Sequence, residues 1–87
     1  MRFPKLYGYL AINLPNVILY TRAGCHLCDD ALEILRQHHI EPTAIDIDAD
    51  PSLRDKYNEC VPVVEIDGKI RFRGRIDAVL LRRLLPN

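Results

Sequence analysis

Cys25 and Cys28 are separated by His26 and Leu27, a spacing at which two thiols can close on each other as a small reversible disulfide. The run before them, Val17 to Tyr20, is short and opens on β-branched residues, so it reads as a buried strand. After them, Leu27, Ala31, Leu32, Ile34 and Leu35 recur at helical spacing as far as Gln37. The pair therefore falls at a strand-to-helix junction, with Cys25 at the helix N-terminus. Unpaired backbone N–H groups and the helix dipole favour negative charge there. The thiolate is the attacking species in disulfide exchange, so this is the position that the chemistry needs. Asp29 and Asp30, in the first helical turn, suit the dipole but oppose a neighbouring thiolate.

A single C-x-x-C leaves three readings open: redox chemistry, half of a metal site, and a purely structural pair. A structural zinc site needs four ligands, usually supplied as two such pairs. This chain has one pair, a third cysteine at Cys60, and His26, His38 and His39, of which the adjacent His38 and His39 make a poor ligand pair at a helix end. The strand–helix setting favours redox chemistry and no metal. In the metal alternative, Cys25, Cys28 and Cys60 would present three soft ligands to zinc, copper(I) or an iron–sulfur cluster.

Positioning that pair is the work of one small domain, since 87 residues support a single core. No apolar run reaches the length of a membrane span. Three cysteines are too few, and odd in number, for a secreted disulfide framework, and they fit a cytoplasmic protein with a transient disulfide. Arg2, Lys5 and the stretch from Leu6 to Leu14 have the outline of a signal peptide, but Gly8 and Asn13 interrupt it and no small-residue cleavage site follows. Residues 1–15 read instead as an N-terminal arm, and 16–87 as the domain. Net charge is zero, yet eleven acidic and three basic side chains lie between Cys25 and Gly68, against six basic and one acidic from Lys69 onward. Alternating charges on an edge strand, followed by cations at a helix C-terminus, explain that basic group without nucleic acid.

Further along, Thr43 to Ile47 reads as a second strand, parallel to the first across the intervening helix. Asp50-Pro51 opens a short helix running to about Asn58. Val63 to Ile66 is a third strand, and Asp67-Gly68 turns it into a fourth. There Ile70 and Phe72 alternate with Lys69, Arg71 and Arg73, which predicts one wet face. Gly74 breaks that strand, Asp77 caps a last helix faced by Leu80, Leu81, Leu84 and Leu85, and Pro86 ends it. The order βαβ-α-ββα is an α/β fold: a four-stranded mixed sheet with helices on both faces.

From Val17 to Leu85 the sequence resembles the glutaredoxin branch of the thioredoxin superfamily, in particular small bacterial glutaredoxin-like proteins with a Cys-His-Leu-Cys centre. The resemblance rests on Leu19-Tyr-Thr-Arg-Ala-Gly-Cys-His-Leu-Cys28, on Cys60-Val-Pro-Val-Val64, on the Asp67-Gly68 turn and on Gly74-Arg-Ile-Asp77. It implies a thioredoxin-like fold and a thiol–disulfide oxidoreductase with Cys25 as nucleophile and Cys28 as resolving thiol. It further implies a cis bond at Val61-Pro62, whose Val61 backbone would pair with a bound thiol peptide. Arg22 would meet the glycine carboxylate of glutathione, and Gly74 and Asp77 its γ-glutamyl end. Partners would be disulfide-containing or glutathionylated proteins, with glutathione as a co-substrate or a thioredoxin-reductase-type reductant, acting on a monomer without a cofactor. The chain departs from the family pattern in three places. His26-Leu27 replaces Pro-Tyr, Ile76 replaces an acidic residue, and Cys60 replaces a threonine. His26 and Cys60 are thereby candidate modulators of the site. A non-catalytic domain using the groove beside Pro62 for an extended partner is the remaining alternative.

Overall fold

A computed structural model describes residues 15–85; all of the N-terminal arm but its last residue, and Pro86, fall outside these. Strand β1 (Val17–Thr21) leads into helix α1 (His26–Gln37), and strand β2 (Thr43–Asp46) follows. A 3₁₀ turn at Ile47–Ala49 precedes helix α2 (Pro51–Tyr57), and β3 (Val63–Ile66), β4 (Lys69–Arg73) and helix α3 (Ala78–Leu84) complete the fold. The sheet order is β2-β1-β3-β4, with β1 parallel to β2 and antiparallel to β3, and β4 antiparallel to β3.

Local chemistry accounts for the boundaries. The Asp50 carboxylate accepts the Ser52 N–H at 2.9 Å and Pro51 follows in the first turn, so α2 starts there. Asp77 accepts the N–H groups of Val79 and Leu80 at 2.9 and 3.1 Å and starts α3. The β3–β4 turn runs through Asp67 (φ 51°) and Gly68 (φ 88°), the paired left-handed residues that a two-residue hairpin requires.

Successive residues of a strand point to opposite faces, and two clusters occupy the two faces of the sheet. Val17, Leu19, Val64 and Phe72 pack with Ala31 and Leu35 of α1 and Leu81 of α3. On the other face, Val63, Ile47 and Tyr57 pack with Tyr20, Leu53 and Ile70. Tyr20 and Tyr57 lie with ring centroids 4.9 Å apart, within the aromatic-pair range.

The fourth strand differs from its sequence pattern. Phe72 opposes Val64, while Ile70 opposes Glu65, the neighbouring residue of β3, so Arg71 is an extra residue in a β-bulge. The bulge restores Ile70 to the opposite face from Phe72. Each of the two therefore reaches a different cluster, and the single wet face predicted from alternation is replaced by burial on both sides. The exposed Lys69, Arg71 and Arg73 remain along an open edge, where charge discourages pairing with another strand. Ile70→Ser should accordingly lower unfolding free energy by more than about 1 kcal/mol in urea titration, whereas Arg71→Ser should stay within about 0.5 kcal/mol.

Candidate active site

Four loop segments reach one end of the sheet. Thr21, the last residue of β1, is in register with Asp46 of β2; Tyr20 pairs with Val63 of β3, and Val63 with Arg73 of β4. The Cys25 loop, the turn after Asp46, Val61-Pro62 and Gly74 must therefore emerge side by side. The Gly74 N–H donates to the Pro62 carbonyl at 2.7 Å and fastens two of these loops together. The Val61-Pro62 bond is cis, Pro62 is buried and Val61 half-buried.

Cys25 is the N-cap of α1, and its sulfur accepts the backbone N–H of Cys28 at 3.1 Å. A serine or aspartate oxygen does the same at ordinary helix starts, so the thiol stands in for a capping group. Cys28, Ala31 and Leu35 form the buried stripe of α1, which turns Cys28 into the core while Cys25, one turn earlier, keeps partial exposure. Cys28 is only 1% exposed. Its burial pushes the thiol up from its ordinary range; the Cys25 sulfur adds to this through a hydrogen bond and through charge, while the Thr21 hydroxyl and the Arg22 backbone work against it. One sulfur is reachable and the other shielded, as a nucleophile followed by a resolving thiol requires.

Arg22 is engaged within the protein. Its Nε and Nη2 donate to the two Asp48 oxygens at 2.9 Å each; Nη1 donates to the Asn58 carbonyl at 3.0 Å and Nη2 to Asn58 Oδ1 at 2.7 Å. Those bonds hold the Asp48 carboxyl below the usual carboxylate range, so it is charged at neutral pH. Asp48 is itself fixed in the 3₁₀ turn, where its N–H donates to Asp46 Oδ1 at 2.9 Å. Gly74 and Asp77 are likewise occupied, by Pro62 and by the α3 cap. His26 is the exposed first residue of α1.

Cys60 packs against Ile47, Tyr57 and Val63, with its N–H bonded to the Tyr57 carbonyl at 2.9 Å, and behaves as a half-buried small hydrophobe. Among the described residues, no three His, Cys, Asp or Glu side chains are grouped to hold a metal ion. His38 turns its Nδ1 to the Ile34 carbonyl at 2.8 Å, and His39 takes φ 64° where α1 ends.

Three features of the site carry no signature in the sequence. Asp48 and Asn58 belong to no motif, and the only hint was the acidic run after the second strand. Thr21, at the end of β1, favours the ionised form of Cys28. The third is a groove of about 310 Å³ between α1 and the loop after β4. Leu27, Ile34 and Ile76 give it apolar walls, with Asp30, Glu33 and Arg75 around them. The isoleucine that replaces an acidic residue thus lines an apolar surface next to the cysteine pair.

Residues 16–86 match the Glutaredoxin-like domain family (DUF836). A glutaredoxin-like protein of Dictyostelium discoideum is 38% identical over 72 residues, covering 71% of this chain and 67% of its own length. The solution structure of a Nitrosomonas europaea protein superposes with a TM-score of 0.74 at 28% identity, covering 84% of this chain and 93% of that one. A Brucella melitensis glutaredoxin superposes with a TM-score of 0.62, also at 28% identity, covering 82% of each chain.

The influence of Cys25 on Cys28 can be measured by titration. Capping Cys25 with a neutral alkyl group removes both the charge and the hydrogen bond through which it holds Cys28 protonated. The midpoint for Cys28 ionisation, followed by thiolate ultraviolet absorbance, should therefore fall relative to the reduced dithiol, while burial keeps it above the range of an ordinary thiol. An unchanged or higher midpoint would contradict the coupling.

Proposed function

The chain belongs to the glutaredoxin-like family and has the thioredoxin-like fold, and on that footing we propose that it is a thiol–disulfide oxidoreductase working through a reversible Cys25–Cys28 disulfide. The observation that carries this reading is the Cys25 sulfur at the head of α1, accepting the N–H of a buried Cys28.

In the first step the Cys25 thiolate attacks one sulfur of a substrate disulfide. A Cys25–substrate disulfide forms, the substrate S–S bond breaks, and the other substrate sulfur leaves as a thiolate. In the second step Cys28, as thiolate, attacks Cys25 and expels the remaining substrate thiolate. The substrate has gained two electrons and the protein holds a disulfide. Forming the mixed disulfide also removes the Cys25 charge that opposed ionisation of Cys28, so the resolving thiol loses its proton more readily when it has to attack. Glutathione or a thioredoxin-reductase-type partner then returns the disulfide to the dithiol.

The Val61 backbone, beside the cis Pro62, is the proposed rail for an extended substrate segment. The apolar groove lined by Leu27 and Ile76 accommodates the surface around its disulfide. Among the described residues no helix is long and apolar enough to cross a membrane. A reducing compartment such as the cytoplasm suits a dithiol that must be regenerated.

The test is trapping. Cys28→Ser should accumulate a mixed disulfide with a model disulfide substrate, detected by mass spectrometry, because the resolving sulfur is gone. Cys25→Ser should form none, and the wild type should release reduced substrate. A mixed disulfide on Cys28 or Cys60 instead would reject the assignment.

A further inference from the structure

We infer that Asp48 and Asn58 set the substrate class: by filling the Arg22 guanidinium from inside, they withhold the cation beside Cys25 from small carboxylate-bearing thiols such as glutathione and leave the dithiol to protein disulfides. The inference rests on the oxidoreductase reading and narrows it.

Arg22 is the cation at the reactive end of β1. Its carbonyl accepts the Cys25 N–H at 3.3 Å, and the charge of Cys25 acts on its guanidinium. A small anionic thiol joined to Cys25 would find this group first. The guanidinium has five N–H donors. The four contacts to Asp48 and Asn58 use four of them. The side of the group formed by Nε and Nη2 is the fork that grips a carboxylate with two parallel bonds. Asp48 already holds that fork, with both oxygens at 2.9 Å.

The seat is built rather than incidental. Asp48 stands in a 3₁₀ turn that Asp46 caps, and Asn58 is the C-cap of α2, so two separate elements converge on one side chain. An incoming carboxylate would have to displace Asp48 and then lie beside it, and the Asp46 charge also bears on the Arg22 guanidinium. Like charges at that range repel. Protein disulfides do not need this cation, because the groove walled by Leu27, Ile34 and Ile76 offers them apolar contact.

The experiment compares kcat/KM for a glutathionylated peptide with that for insulin disulfide reduction, in the full chain with a dithiol reductant. Asp48→Ala opens the fork, and the ratio of the two should rise by about fivefold or more, the scale of one charged hydrogen-bonded contact, mainly through a lower KM for the glutathionylated peptide. The gain should vanish in Asp48→Ala/Arg22→Ala. In the wild type, Arg22→Ala should leave the glutathionylated-peptide KM within about twofold, because a guanidinium already filled contributes little new binding. As a check that needs no variant, excess S-methylglutathione should leave the Arg22 Nε–H resonance of the wild type unshifted. Efficient wild-type turnover of the glutathionylated peptide that collapses in Arg22→Ala, a shifted resonance, or an unchanged ratio in Asp48→Ala would overturn the inference. Failure of the wild type to reduce insulin would instead reject the oxidoreductase reading, and the inference with it.

Discussion

Strand β1 carries the heaviest constraint in the molecule. Its middle residues, Ile18, Leu19 and Tyr20, are paired on both edges, to β2 and to β3, and the strand is covered on both faces. Backbone groups so placed have no access to water and must be satisfied within the sheet. Side chains on both faces must be apolar or paired, as Tyr20 is through its ring contact with Tyr57 and its hydroxyl to Glu65 at 3.4 Å. A strand fixed this way delivers its last residue to one place. Thr21 ends beside Asp46 and next to the residue that pairs with Val63, and the chain then turns through Gly24 (φ 78°) into α1. The position of Cys25 is therefore set by sheet pairing, and its orientation by the cap bond to Cys28.

Features decided by a few adjacent residues were legible in the sequence. The Val17 to Tyr20 run, the Asp50-Pro51 start, the Asp67-Gly68 turn and the Asp77 cap each carry their own local chemistry, and all four stand where that chemistry put them. The bulge at Arg71 was not legible. Lys69 to Arg73 alternates perfectly on paper, and only the opposing strand, with Glu65 against Ile70, shows that the alternation is interrupted. The extra residue lets a five-residue edge strand contribute one side chain to each core.

At the site, residues that declare themselves by type were found, whereas their engagement was not. Arg22 reads as an open cation because a sequence shows which groups exist and not which are already bonded. Its partners are distant in the chain: Asp48 and Asn58 lie 26 and 36 residues from Arg22. Cys60 is a parallel case. Its place two residues before Pro62 made it a candidate modulator of the site, while its contacts with Tyr57 and Val63 assign it to the second cluster as a small hydrophobe.

Chemistry and stability separate along the strand axis. The two clusters fill the middle of the molecule, while Cys25, His26, Val61 and Gly74 sit in loops or at a helix start at one end, each at least partly exposed. Side chains there can vary with little effect on the cores, which is how a family can keep one fold and change the pair between its cysteines. Cys28 belongs to both regions. It heads the buried stripe of α1 and also supplies the second sulfur, so any replacement must fill its volume as well as its chemistry. Its burial is what holds back its ionisation, and an equally buried but inert sulfur would serve the core as well. The Thr21 side chain and the Arg22 backbone favour the ionised form of Cys28 against that burial, an influence that a plain core position has no use for.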